Sequence, residues 1–168
     1  MTLEELNGLS EEACRAFFTQ TCATQSWVAL MSQSRPFVTK EAVLKTARSY
    51  WQEMNNDDFL EAFAAHPMIG DINTLRSKYA NTKAVAAGEQ SGTAVADDNT
   101  LLALKKGNDA YLKKHGFIFI ICATGLSANT MLDALNKRLN NSTEEEIQNA
   151  AAEQIKITCL RLDKALAI

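Results

Sequence analysis

The segment that most constrains the fold is Phe117-Ile118-Phe119-Ile120-Ile121, bounded by Gly116 and Gly125. It has strong β propensity, yet no second stretch of the chain offers it a strand partner. Helix signals dominate elsewhere. Thr2 with Glu5, and Ser142 with Glu145, fit the capping-box spacing that satisfies the orphan amides of a helix start. Ser10 precedes Glu11 and Glu12, acids suited to the positive end of a helix dipole. Thr39 opens a segment in which Val43, Leu44, Ala47, Tyr50, Trp51 and Met54 recur at helical spacing, and Ser127 opens another with Met131, Leu132, Leu135 and Leu139 on one stripe. Further helices are expected over residues 26–33, 57–65, 73–79, 83–90, 97–115 and 143–166, with Gly116 as a stop after His115. Pro36 and Pro67 fall at breaks between helices. The expectation is an all-α fold: one compact domain over residues 1–168, of about eight to ten helices, with one short extended segment near residues 117–121. The backbone groups of that segment must find partners other than a neighbouring strand. A ligand-binding element and a plain core connector both fit it.

A chain of 168 residues with 46% hydrophobic content supports one well-filled core. A net charge of -3 gives no electrostatic reason for nucleic acid or an anionic membrane as partner, while a small anionic substrate in a locally positive pocket stays compatible. Cys14, Cys22, Cys122 and Cys159 show neither C-x-x-C nor metal-finger spacing, so reduced structural thiols in a reducing compartment are expected. The sequence MTLEELNGLS lacks a basic region followed by an apolar run, and the longest apolar run, residues 117–123, is too short to span a bilayer. A cytoplasmic, soluble protein is expected.

Two histidines allow each to be weighed singly. His115 lies in the last turn of a helix, where a cation would favour the dipole. His66 follows Phe63, Ala64 and Ala65 and precedes Pro67, which disfavours helical backbone at His66. That puts an imidazole with a near-neutral pKa on a stiff turn, with Gly70 close by, and makes it the best general acid–base candidate in the chain. An ordinary solvated or core histidine fits the same residues. Glu89 stands beside Gln90 amid small residues that leave room for a ligand, and an exposed helix face fits there too. No H-x-x-x-H or E-x-x-H spacing, Gly-rich phosphate loop or G-x-S-x-G elbow occurs, so a metal, a nucleotide cofactor and a serine nucleophile have no support.

His66-Pro67-Met68-Ile69-Gly70 followed by Gly88-Glu89-Gln90 resembles the 2-oxo-4-hydroxy-4-carboxy-5-ureidoimidazoline (OHCU) decarboxylase family. Trp27-Val28-Ala29-Leu30-Met31 with Arg35-Pro36-Phe37 is similar to that family's N-terminal signature. The segment from Gly116 to Gly125 is similar to its central apolar stretch, and Glu153-Gln154-Ile155-Lys156-Ile157 with Arg161-Leu162 to its closing helix. The resemblance implies an all-α homodimer that decarboxylates OHCU to (S)-allantoin, the last step from uric acid to allantoin, with no cofactor. It implies His66 and Glu89 as catalytic residues, and Pro67, Ala86, Gln90, Phe119, Ile120, Ile121 and Arg161 as substrate-binding ones. Arg161 would anchor an anion through its planar fork, a structural ion pair being the other reading. One departure stands out: the family commonly shows S-x-x-E-Q, and its serine position is Ala86 here. That hydroxyl contact is either absent or supplied by Ser91 or water.

Overall fold

The computed structural model describes residues 1–67, 73, 75–77 and 98–167. Eight helices have both ends among them: α1 (Leu3–Gly8), α2 (Glu11–Thr21), α3 (Gln25–Gln33), α4 (Lys40–Gln52), α5 (Asn56–Ala64), α6 (Asp98–His115), α7 (Ala128–Leu139) and α8 (Thr143–Ala165). No strand occurs among the described residues, and the fold is all-α as expected. The expected helices over 26–33, 57–65, 97–115 and 143–166 fall within a residue of those observed. Residues 73 and 75–77 are helical; the rest of the 73–79 and all of the 83–90 expectation lie outside the described residues. None of the described helices is long and apolar enough to cross a membrane.

The helix starts are fixed by their caps. Thr2 Oγ1 accepts from the Glu5 amide while Glu5 accepts from the Thr2 amide, closing the predicted box. Ser142 and Glu145 do the same at the start of α8. Ser10, Thr39 and Ser127 cap α2, α4 and α7 through the amides of Ala13, Ala42 and Thr130. Each such cap stabilises its helix by about 1 kcal/mol.

The chain divides into two compact units, Met1–Ala65 with Ile147–Ile168, and His66–Glu146. In the first, Phe18, Trp27, Met31, Val43, Ala47 and Leu162 are fully buried. Phe18 meets Trp27 edge to face at 5.9 Å. The indoles also carry buried polar ties. Trp27 Nε1 donates to the Ala47 carbonyl at 3.0 Å, joining α3 to α4, and Trp51 Nε1 donates to the Ala151 carbonyl at 2.9 Å, joining α4 to α8. Arg35 closes the end of α1: its Nη1 reaches the Leu9 carbonyl at 2.6 Å and the Leu6 carbonyl at 3.3 Å, satisfying acceptors that a helix end leaves open. The termini meet here too, since the Met1 ammonium donates to the Ala165 carbonyl and the Ala167 amide to the Met1 carbonyl.

In the second unit α6 packs against α7 at a glycine. A Cβ on Gly107 would lie 2.6 Å from Leu135 Cδ2, so only glycine allows this approach without displacing that fully buried leucine. One turn further along each helix stand Tyr111 and Arg138. Both face the same buried carboxylate.

Candidate active site

The β-prone segment is neither helix nor strand from residue 118 to 123. Gly116 and Gly125, at φ of +79° and +78°, supply the left-handed backbone that turns the chain into and out of it. Phe117 and Ile120 are buried, whereas Ile118, Phe119 and Ile121 are half-buried. Among the described residues the N–H groups of residues 118–122 donate no hydrogen bond. The segment is held instead by side chains. Arg138 Nη1 donates to the Ile120 carbonyl at 2.6 Å, and the Arg138 guanidinium lies 4.6 Å from the Phe119 ring centroid. Phe119 in turn stands edge-on to Tyr111 at 5.3 Å, as does Phe117 at 5.8 Å.

The anchor of this arrangement is Glu146, which is completely buried. Its Oε1 accepts from the Tyr111 hydroxyl at 2.6 Å and Arg138 Nε at 2.8 Å, and its Oε2 from Asn141 Nδ2 at 2.9 Å. Burial, and then the hydrogen bond to Glu146, push the Tyr111 phenol far above its ordinary range, so Tyr111 is a neutral donor. Sequence reading missed Tyr111, Arg138, Asn141 and Glu146. One signal was available: Glu146, Ala150 and Gln154 recur every four residues on a stripe that is buried throughout.

His115 departs from the dipole reading. It sits in the last turn of α6, but its ring is buried 4.5 Å from Tyr111, with Nδ1 2.8 Å from Thr143 Oγ1. Burial, and then Lys114, lower its pKa, so the ring is held neutral rather than cationic. Its role is packing, against the aromatic cluster that carries the extended segment.

His66 follows the end of α5 on a bend and is half-buried, and Pro67 is exposed. Both belong to the second unit, as do Phe119, Ile120 and Ile121. Glu89, Gln90 and Ala86 lie outside the described residues. Arg161 belongs to the first unit, where Nη1 donates to the Thr21 carbonyl at the end of α2 at 3.3 Å. All four cysteines are free. No cluster of His, Cys, Asp and Glu suited to a metal ion occurs among the described residues.

An all-helical chain that reserves one extended segment, held by a buried charge network, belongs to the class of helical proteins that can present backbone donors to a small ligand. Comparison with known proteins makes the assignment specific. The OHCU decarboxylase family model matches residues 7–163, and the chain belongs to that family of decarboxylases, the carboxy-lyases of uric acid degradation. It is 41% identical over 147 residues to the uric acid degradation bifunctional protein TTL of Arabidopsis thaliana, covering 85% of this chain and 44% of that protein. The chain thus spans less than half the length of that relative. It is 26% identical to the OHCU decarboxylase of Halalkalicoccus jeotgali, covering 98% of this chain and 91% of that one. Its fold is similar to a crystal structure of OHCU decarboxylase determined in the presence of (S)-allantoin, with TM-score 0.71, 35% identity and coverage of 94% and 98%. A crystal structure of (S)-allantoin synthase shares the fold, with TM-score 0.70 at 21% identity, covering 99% of this chain and 54% of that one.

Proposed function

We propose that this chain converts OHCU to (S)-allantoin without a cofactor or metal, as a single decarboxylase domain over residues 1–168 that works as a homodimer in the cytoplasm. The observation that carries the reading is the unpaired 118–122 backbone in a chain of this family, whose 35% identical structural relative was determined with (S)-allantoin.

The substrate carries a hydroxyl and a carboxylate on one ring carbon, next to a ring carbon in a C=N bond. That imine is a built-in electron sink. Breaking the bond to the carboxylate releases carbon dioxide and moves its electron pair onto the ring nitrogen, which takes up a proton from solvent, leaving an enol. Loss of the hydroxyl proton and protonation of the neighbouring carbon then give the product, and the face of protonation sets its S configuration.

In this reading His66 hydrogen-bonds the hydroxyl and manages its proton. Glu89, across the ring, holds ring or ureido N–H groups and keeps the ring in one orientation. Gln90 offers both a donor and an acceptor to the ureido group. Pro67 stiffens the turn that carries His66, and Ala86 leaves a methyl where relatives place a hydroxyl. N–H groups of Phe119, Ile120 and Ile121 hold carbonyl or carboxylate oxygens, and Arg161 anchors the anion. Apolar walls weaken carboxylate solvation and favour release of neutral carbon dioxide.

The test is circular dichroism at allantoin wavelengths with freshly generated substrate. The chain should form (S)-allantoin faster than the uncatalysed reaction, and a racemic product at the background rate rejects the proposal. Glu89→Gln, nearly isosteric but uncharged, should lose most of the acceleration and drift toward racemic product. Close to wild-type speed with S product would move the orienting role from Glu89 to Gln90, Arg161 and the backbone.

A further inference from the structure

The peptide group between Ile120 and Ile121 is planar, with its carbonyl and N–H on opposite sides. Its carbonyl is taken by Arg138 Nη1 at 2.6 Å, so the Ile121 N–H points away from that guanidinium. This N–H has no acceptor among the described residues. A cation on the carbonyl oxygen also polarises the peptide, which makes the N–H on its far side a stronger donor. No other N–H of residues 119–122 has its direction set in this way by a charged side chain on its own peptide.

The clamp itself is rigid. Arg138 is fixed through Nε to fully buried Glu146, which also gathers Tyr111 from α6 and Asn141 from the turn before α8. The guanidinium carbon lies over the Phe119 ring, so one side chain holds two successive residues of the segment. An ion pair serving only to close α7 on α8 would need the Arg138–Glu146 contact alone. The additional short bond to the carbonyl of an unpaired segment is what calls for a function.

We infer that Arg138, held by Glu146, is a positioning residue that orients and polarises the Ile120–Ile121 peptide so that the Ile121 N–H binds a carbonyl oxygen that the substrate shares with its product. This rests on the decarboxylase reading above. Arg138 touches no substrate atom; it acts through the peptide.

The decisive variant is R138M/E146Q, which removes both charges with little change of shape and leaves no lone buried ion. R138K accompanies it, keeping the charge but losing the fork that spans carbonyl and carboxylate. Thermal melting reports the fold, turnover of freshly generated OHCU gives kcat and KM, and the Ile121 amide is followed by 1H–15N spectra as (S)-allantoin is added. In the unsubstituted chain (S)-allantoin should shift the Ile121 amide proton downfield more than its neighbours. The double variant should melt cooperatively, lose that shift and fall roughly 10²-fold in kcat/KM, the usual effect of a small misplacement in a reacting site. R138K should fall between the two. An unmoved Ile121 amide in the unsubstituted chain, or a folded double variant with unchanged kcat/KM, overturns the inference. If the double variant does not fold, R138K decides, and unchanged kcat/KM with an unchanged Ile121 shift overturns it. If the unsubstituted chain leaves OHCU at the background rate, the functional reading fails by itself, because the amide titration needs only product binding.

Discussion

Gly107→Ala tests the packing on which the whole clamp depends. A methyl placed there would lie 2.6 Å from Leu135 Cδ2 and 3.2 Å from Cγ, well inside contact distance. Leu135 is fully buried and cannot swing into solvent, so α6 and α7 must separate or the leucine must leave its rotamer. Overpacking of this kind costs about 1–3 kcal/mol. Alanine recovers roughly 0.5–1 kcal/mol over glycine within a helix. The net expectation is a destabilisation of up to about 2.5 kcal/mol, which for a chain of this size lowers Tm by up to about 10 °C.

A second background sharpens the test. With Leu135 trimmed to alanine the obstruction is gone, and the same Gly107→Ala change should become stabilising by about 0.5–1 kcal/mol. Thermal or urea unfolding of the four chains measures that sign reversal as a coupling energy. A rise in Tm on Gly107→Ala in the unsubstituted chain would refute the close approach of α6 to α7. Because Tyr111 and Arg138 stand one turn beyond this contact, activity should fall with stability in the Leu135 background and recover in the other.

His66→Asn should keep the fold, checked by circular dichroism, and lose roughly 10²–10⁴-fold in rate, the span of a general acid–base group; near wild-type turnover would remove His66 from the mechanism. Trp51→Phe deletes the buried donor to the Ala151 carbonyl and should cost about 1–3 kcal/mol in urea unfolding. His115 predicts an acid limb of stability: its folded pKa lies below the ordinary 6.5, so the unfolded chain takes up its proton first. Stability is then full above that value and is lost as pH falls toward the lowered folded pKa, and His115→Gln should flatten that limb in melts followed against pH. Exhaustive EDTA should leave turnover unchanged, and metal-restored activity would contradict the mechanism.

How far the chain could be read from its residues follows the range of each rule. Caps act over three residues, so Thr2 with Glu5 and Ser142 with Glu145 announced themselves. The box formed by Asn55 and Asp58 obeys the same rule and was overlooked, which put the start of α5 one residue late. The unpaired segment was visible because nothing else in the chain could pair with it. Its clamp was not, because Tyr111 meets Glu146 across 35 positions, a separation that no local periodicity encodes. His115 shows the same limit in another form. Its place at a helix end was readable, but its charge state is set by the tertiary packing that buries it.

These observations also account for an extended segment in an otherwise helical protein. A helix spends its N–H groups on its own carbonyls, so beyond its first turn it offers a ligand only side chains. An unpaired segment offers an N–H at each residue, in directions set by the chain rather than by rotamers. Leaving such groups without partners costs about 1–3 kcal/mol each where they are buried. Here Arg138 supplies the Ile120 carbonyl, and Ile118, Phe119 and Ile121 are only half-buried. The burden falls on Glu146, whose charge must be matched inside the protein, and it is met by donors from α6, α7 and the turn before α8. A substrate that carries its own electron sink asks little covalent chemistry of the protein and a great deal of geometry. A backbone segment pinned at one peptide by a buried ion pair is suited to that demand.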